Sequence, residues 1–199
     1  SSDVCSSDLH QPGADVVFDV KCSRDLASII SGHGGRPIMW RSGHAWIKQK
    51  MQETGALLGG EFTGHVCFRD RWFGFDDGLY AAARLLEILS AEGSSMDAQL
   101  AGLPQTVSTP EIALPVPEAD KFPLMERIED KMAPAGARLT RIDGVRAEFN
   151  DGWALVRASN TSAAISCRFE AESEAALERI QGVFRQELQR IAPELPLTF

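Results

Sequence analysis

Gly60-Glu61-Phe62-Thr63-Gly64-His65 sets a carboxylate, a hydroxyl and an imidazole close together, between glycines that let a backbone approach a ligand. It lies between the apolar runs Ala56-Leu57-Leu58 and Val66-Cys67-Phe68, so it is a polar loop joining two strand-like segments. The residue types fit either a surface turn or a ligand site. A second polar stretch, Arg157-Ala158-Ser159-Asn160-Thr161-Ser162, also sits between apolar runs. Its guanidinium offers a planar fork for a phosphate, and its hydroxyls and amide supply further donors. The same residues also make ordinary loops capped by serine and asparagine.

Two weaker features stand near the first loop in the pattern. Arg41-Ser42-Gly43-His44 follows a strand-like run and opens a helical one, where free amides and the helix dipole favour anions. A histidine at a helix start is commonly structural, so Arg41, Gly43 and His44 are candidates and no more. Lys21 follows the first strand-like run. In open α/β sheets ligands gather at the carboxyl ends of the strands. Lys21, the Arg41–His44 turn and the Glu61–His65 loop are therefore expected on one rim. Asp76-Asp77 suits the positive end of a following helix, with a metal role as the alternative. Trp72, Phe73 and Phe75 read as core or interface residues. Cys67 and Cys167 fall within apolar runs and are expected to be buried and inert.

The elements that must hold these groups follow from periodicity. Val16–Val20 is a β-branched run and Pro37–Trp40 a second strand; between them Ser23 is expected to cap a helix carrying Leu26, Ala27, Ile29 and Ile30. A helix with Trp46, Ile47 and Met51 then ends at Gly55. Beyond the loop, a helix with an apolar face of Leu79, Ala82, Ala83, Leu86 and Leu89 is expected. Strand, helix, strand, helix, strand with short connections predicts an α/β three-layer domain, its sheet mixed and mostly parallel. Breakers between Ala91 and Pro110 mark a boundary, with a short helix around Met96–Gly102.

The remainder has a different rhythm. Glu111–Pro117, Arg138–Ile142, Val145–Phe149, Trp153–Arg157 and Ala164–Phe169 are strand-like, and Asp143-Gly144 is expected as a tight turn. Asp120 is expected to cap a helix with Pro123 in its first turn, and Ser173 to begin a last helix carrying Leu177, Ile180, Phe184, Leu188 and Ile191. This predicts an α+β domain, an antiparallel sheet covered by two helices. The expected divisions are 1–14 as a lead, 15–92 as the first domain, 93–108 as a linker and 109–199 as the second domain. The opening SSDVCSSDL has no helix or strand period and resembles a tag or scar, so the natural start is expected to lie elsewhere.

The composition is that of an ordinary globular protein, with 44% hydrophobic and 24% charged residues over 199. A net charge of −8 argues against general nucleic-acid binding, since no basic field is available to neutralise phosphates. No apolar run reaches membrane-spanning length, and no basic-then-apolar leader opens the chain, so no membrane partner is expected. The four cysteines are scattered without a CxxC spacing, which fits reduced thiols in a cytoplasmic protein.

Several stretches taken together resemble one family. They are DVKCSRDL (Asp19–Leu26), GGRPIMWRSGHAWIKQKM (Gly34–Met51), ETGALLGGEFTGHVCF (Glu53–Phe68), RWFGFDDGLYAAARLLEIL (Arg71–Leu89) and DGWALVRASNTSAAISCRFEA (Asp151–Ala171). In this order and spacing they resemble the C-terminal part, domains three and four, of bacterial phosphomannomutase/phosphoglucomutases of the α-D-phosphohexomutase superfamily. The resemblance implies that Glu61 and Thr63 grip two sugar hydroxyls, with threonine where serine is usual. It implies that His65 faces the phosphoserine region as a supporting catalytic group, and that Lys21, Gly43 and His44 help hold the substrate. Arg41 stands where lysine is common. Arg157, Ser159, Asn160 and Thr161 match the loop that holds the phosphate not being transferred.

The implied reaction interconverts hexose 1-phosphate and hexose 6-phosphate, of mannose, glucose or both, through a bisphosphate intermediate. Glucose 1,6-bisphosphate is the implied activator or intermediate, and Mg2+ the implied cofactor. The family's phosphoserine loop and its DGDGDR-like magnesium loop have no counterpart in these 199 residues, so they are expected to be inactive by themselves. The alternatives are a non-catalytic sugar-phosphate-binding module or fragment needing a partner chain, and a phosphoglucosamine mutase, which the GEFTGH and RASNT wording disfavours.

Overall fold

The computed structural model describes residues 13–93 and 95–199, so the expected lead lies outside the described residues except for Gly13 and Ala14. Two compact units divide between Pro104 and Gln105.

The first unit runs β1 (Asp15–Asp19), α1 (Asp25–Gly32), β2 (Arg36–Trp40), α2 (His44–Thr54), β3 (Leu58–Gly60), β4 (Val66–Phe68), α3 (Gly78–Glu92) and α4 (Met96–Leu100). Its sheet has the order β2-β1-β3-β4. The first three strands are parallel, with Asp19 opposite Trp40 and Phe18 opposite Gly60, and β4 turns back antiparallel to β3. The central β1 is a continuous apolar run because both of its faces are covered. Val16 and Phe18 join Ile30, Leu58 and Phe68 on one side, and Val17 joins Ile47, Met51, Ala56 and Cys67 on the other. Gly59 lets α2 lie directly on β3, since a Cβ there would sit 2.4 Å from the Met51 sulfur. The expected three-layer arrangement, with a mixed and mostly parallel sheet, is what these elements form.

Helix α3 corrects a sequence expectation. Leu79 is 87% exposed and Leu86 66% exposed. The helix instead turns Tyr80, Ala81, Arg84 and Ile88 inward. Tyr80 stacks on Trp72 with ring centroids 4.3 Å apart, and the Arg84 guanidinium lies 5.2 Å from the Phe68 ring while pairing with Asp70 and Glu87. Aromatic packing and the ion pairs of the buried Arg84 outcompete a leucine stripe. Ser23 also sits outside its expected place: α1 begins at Asp25, whose N–H donates to the Ser23 hydroxyl at 3.2 Å.

The second unit runs β5 (Val107–Ser108), β6 (Ile112–Pro115), α5 (Glu118–Lys131), β7 (Arg138–Thr140), β8 (Val145–Phe149), β9 (Gly152–Ala158), β10 (Ala164–Ala171) and α6 (Glu174–Ile191). The sheet is antiparallel in the order β5-β10-β9-β8-β7, and β6 also pairs with β10. Helices α5 and α6 close one face over Ile128, Val145, Ala154, Val156, Cys167, Ile180, Phe184 and Leu188. On the other face the Arg146 guanidinium stacks 3.8 Å from the Trp153 ring, and the Trp153 indole N–H donates to Glu170 at 3.0 Å. The α+β expectation stands. Helix α5 differs in detail: it starts at Glu118, two residues before Asp120, which puts Pro123 in its second turn. Proline cannot donate to the Ala119 carbonyl there. Both residues are exposed, so water can take that carbonyl's bond. Ser173 caps α6 as expected, its hydroxyl accepting from Ala176 N–H at 3.3 Å.

Candidate functional site

In the first unit the carboxyl ends of β1, β2 and β3 lie side by side. Lys21, the Arg41–His44 turn and the Glu61–His65 loop therefore follow three adjacent parallel strands. The expected rim exists, and hydrogen bonds lock it. Residues 61–65 form the tip of the β3–β4 hairpin, closed by Glu61 N–H to His65 O at 2.9 Å and Gly64 N–H to Glu61 O at 2.9 Å. Gly64 adopts φ +88°, the left-handed geometry that ends a three-residue hairpin connection and suits glycine.

The loop is tied to both neighbouring strand ends. The Gly43 N–H donates to Glu61 Oε2 at 2.8 Å, and the Ser42 hydroxyl reaches the same oxygen at 3.4 Å. The Phe62 N–H donates to Asp19 Oδ1 at 3.1 Å, and the Cys22 thiol donates to that oxygen at 3.1 Å. Asp19 is fully buried at the end of β1. Glu61 Oε1 and Asp19 Oδ2 are buried acceptors without a partner among the described residues.

The His65 ring bonds through Nδ1 to Asp76 Oδ2 at 2.6 Å, and its centroid lies 6.3 Å from that of His44. Of the two neighbouring aspartates, Asp77 caps α3 by accepting from Leu79 and Tyr80 N–H at 3.0 Å each, while Asp76 serves His65. Thr63 is exposed at the tip, Lys21 is buried, and the Arg41 guanidinium lies 5.3 Å from the Trp46 ring centroid. Burial pushes the Cys67 thiol up to about 11, helped by the negative charges of Asp76 and Glu61.

In the second unit residues 159–163 connect β9 to β10. The Ser159 hydroxyl accepts from Ser162 Oγ at 2.8 Å, Ser162 N–H at 3.2 Å and Thr161 N–H at 3.4 Å. Arg157 is 2% exposed; its Nε donates to Asp143 Oδ2 at 3.0 Å, and one terminal nitrogen has no partner among the described residues. Lys121, buried on α5, donates to the Ser162 carbonyl at 3.1 Å and pairs with Glu118. Gly144 lies so close to β9 that a Cβ would come within 2.2 Å of the Val156 carbonyl, so the Asp143-Gly144 turn can reach Arg157.

Sequence reasoning passed over Asp19, Lys121 and Asp143 and read Asp76 only as a cap or metal ligand. Asp19 had a visible signal, a carboxylate inside an apolar strand, which is costly unless it accepts hydrogen bonds. Lys121 and Asp143 had none.

Comparison with known proteins gives the chain its family. The model "Phosphoglucomutase/phosphomannomutase, alpha/beta/alpha domain III" matches residues 2–107. The model "Phosphoglucomutase/phosphomannomutase, C-terminal domain" matches residues 111–187. The chain belongs to the phosphoglucomutase/phosphomannomutase family. It is 54% identical over 190 residues to a Pseudomonas syringae phosphomannomutase/phosphoglucomutase, a match covering 96% of this chain and 41% of that protein. A solved phosphoglucomutase/phosphomannomutase family protein from Burkholderia thailandensis superposes with a TM-score of 0.90 at 46% identity, over 98% of this chain and 42% of that one. The same fold recurs at 12% identity, with a TM-score of 0.63, in an Aspergillus fumigatus N-acetylphosphoglucosamine mutase solved with glucose 1,6-bisphosphate, over 95% of this chain and 42% of that one. The chain thus spans about two fifths of the length of the phosphoglucomutase/phosphomannomutases it matches.

For magnesium, the residues do not fit. Among those described no group of three or more His, Cys, Asp or Glu could hold a metal ion. No described helix is long and apolar enough to cross a membrane.

Proposed function

We propose that this chain supplies the substrate-binding half of a phosphohexomutase acting on mannose or glucose phosphates. One observation carries the reading: Glu61 is anchored through Oε2 to the Gly43 amide while Oε1 is left without a protein partner. A carboxylate fixed by one oxygen, with its second, buried oxygen lacking a partner among the described residues, keeps acceptor capacity that a sugar hydroxyl would satisfy. Thr63, exposed beside it, adds a hydroxyl, and His65, Lys21, Gly43, His44 and Arg41 complete the rim. The Arg157 loop supports the second half of the reading. A buried guanidinium with an N–H that has no partner among the described residues, the Ser159 hydroxyl and the neighbouring Asn160 and Thr161 suit the non-transferring phosphate.

The chain's own residues bind and orient. Sugar recognition through paired hydroxyls accepts either ring orientation, which is what an intermediate carrying phosphate at both ends demands. The A. fumigatus N-acetylphosphoglucosamine mutase of the same fold was solved with glucose 1,6-bisphosphate, a compound that carries phosphate at both ends. These 199 residues hold no counterpart of the family's phosphoserine loop or DGDGDR-like magnesium loop, so the reading assigns recognition to this chain and no phosphoryl transfer.

Calorimetric titration with glucose 1-phosphate and mannose 1-phosphate tests the reading. Wild type binds, Arg157→Ala weakens binding roughly tenfold to a hundredfold, the loss of one charge-assisted contact, and Glu61→Gln weakens it less. The purified chain gives no conversion of glucose 1-phosphate to glucose 6-phosphate. Absence of binding in wild type, or turnover by the chain itself, would overturn the proposal.

A further inference from the structure

We infer that Asp76 is a positioning residue: it holds the His65 imidazole as the Nδ1–H tautomer and so presents Nε2 as a lone-pair acceptor. This rests on the sugar-phosphate reading of the loop. It adds a residue that the sequence suggested only as a helix cap or metal ligand.

The backbone brings the two side chains together. Asp76 forms an antiparallel bridge with Cys67, and Cys67 lies in β4 two residues after His65. Residues two apart on an extended segment share a face, so the His65 ring is directed along the side that Asp76 approaches. Both ends of the contact are pinned by bonds unrelated to it. The His65 carbonyl accepts from Glu61 N–H at 2.9 Å, and Asp77 fixes the following turn by capping α3. Neither anchor involves the imidazole or the Asp76 carboxylate, so these are free to serve each other.

For a neutral ring the chemistry then has one solution. An ionised carboxylate can only accept, so at 2.6 Å from Asp76 the ring nitrogen Nδ1 carries the proton. In a neutral imidazole Nε2 is then the acceptor. An unconstrained histidine side chain favours the opposite tautomer, with the proton on Nε2. Asp76 therefore reverses the intrinsic preference. A sugar hydroxyl meeting this ring finds an acceptor at Nε2. Second-sphere carboxylates fix the tautomer of functional histidines in the same way elsewhere.

Long-range proton–nitrogen spectra of the 15N-labelled 199-residue chain, recorded where the rings are neutral, test this. In wild type His65 is protonated on Nδ1 by about tenfold over Nε2, the size expected of one hydrogen bond to a charged acceptor. The exposed His33 serves as the internal reference, protonated on Nε2. Asp76→Ala returns His65 to the Nε2–H form, and Asp76→Asn, which keeps the shape but can donate or accept, gives a mixture. The amide signals of Gly43 and Phe62, which report the loop's anchors on Glu61 and Asp19, stay in place in both variants.

An Nε2–H ring in wild type, or an unchanged tautomer in both variants, overturns the inference. So does displacement of those amides along with the tautomer in both variants, because Asp76 would then be holding the loop rather than the ring. Adding glucose 1-phosphate separates the two levels of reading. Perturbation of the His65 Nε2 signal is expected. A correct tautomer with no such perturbation leaves Asp76 as the ring's positioning residue and sinks the sugar-phosphate reading of the loop.

Discussion

At the scale of single residues, the rim is organised by acceptors that already have work inside the protein. Asp19 and Glu61 each use one carboxylate oxygen on a backbone N–H and keep the other without a partner among the described residues. Cys67 lies under the same loop, and its fully buried thiol is pushed up to about 11, first by desolvation and then by Asp76. At pH 8 its thiolate fraction is on the order of a thousandth, so it is a poor nucleophile as well as an inaccessible one. Burial raises Cys167 still further. Iodoacetamide at pH 8 is therefore expected to leave Cys67 and Cys167 unmodified in the native chain and to label both in denaturant, as read by peptide mass spectrometry. The sign of the pH dependence follows. Unfolding returns the Cys67 thiol to its ordinary value of about 8.5. The stability from keeping it protonated is complete below that pH and declines as pH rises toward about 11.

At the scale of elements, what was legible in the sequence was the order and type of segments and the loops between them. Apolar period and breaker position survive without knowledge of neighbours. Which face of a helix turns inward depends on partners elsewhere in the chain, and α3 shows where local pattern fails. Its leucines and alanines allow two faces about one residue's rotation apart, roughly 100°. The choice is made by Trp72 stacking on Tyr80 and by Asp70 meeting Arg84, contacts from the preceding loop that no window on the helix reveals. The candidate site divides similarly. Glu61, Thr63 and His65 could be picked out because they share one stretch. Asp143 and Lys121 could not, since they reach the Arg157 loop from a different turn and from a helix. A pair of substitutions on α3 checks its orientation. Leu79→Glu and Leu86→Glu are each expected to change unfolding stability by no more than about 0.5 kcal/mol, as exposed positions do. Ile88→Ala, at a 3% exposed position, is expected to cost about 2–4 kcal/mol in urea denaturation.

At the scale of the whole molecule, the two units have separate hydrophobic cores. The clusters around Val17 and Phe18 draw only on residues before the division at Pro104, and the cluster around Ile128 and Phe184 only on residues after it. The proposed roles divide the same way, with sugar recognition in the first unit and phosphate recognition in the second. A core defect in one unit should then act on that unit's loop and leave the other's scaffold intact. Ile128 is fully buried on α5 against β9 and β10, the strands that carry the Arg157 loop. Truncating it to alanine removes packing from beneath that loop, with a cost of about 2–4 kcal/mol. Native-state hydrogen exchange resolves where the cost falls, because amides open in cooperative units with their own free energies. Ile128→Ala is expected to speed exchange at amides in β8, β9 and β10 by roughly thirtyfold to a thousandfold while amides in β1, β2 and β3 keep their wild-type rates. Equal acceleration in both sheets would show that the chain opens as one cooperative body, and the division of labour between two independent scaffolds would have to be abandoned.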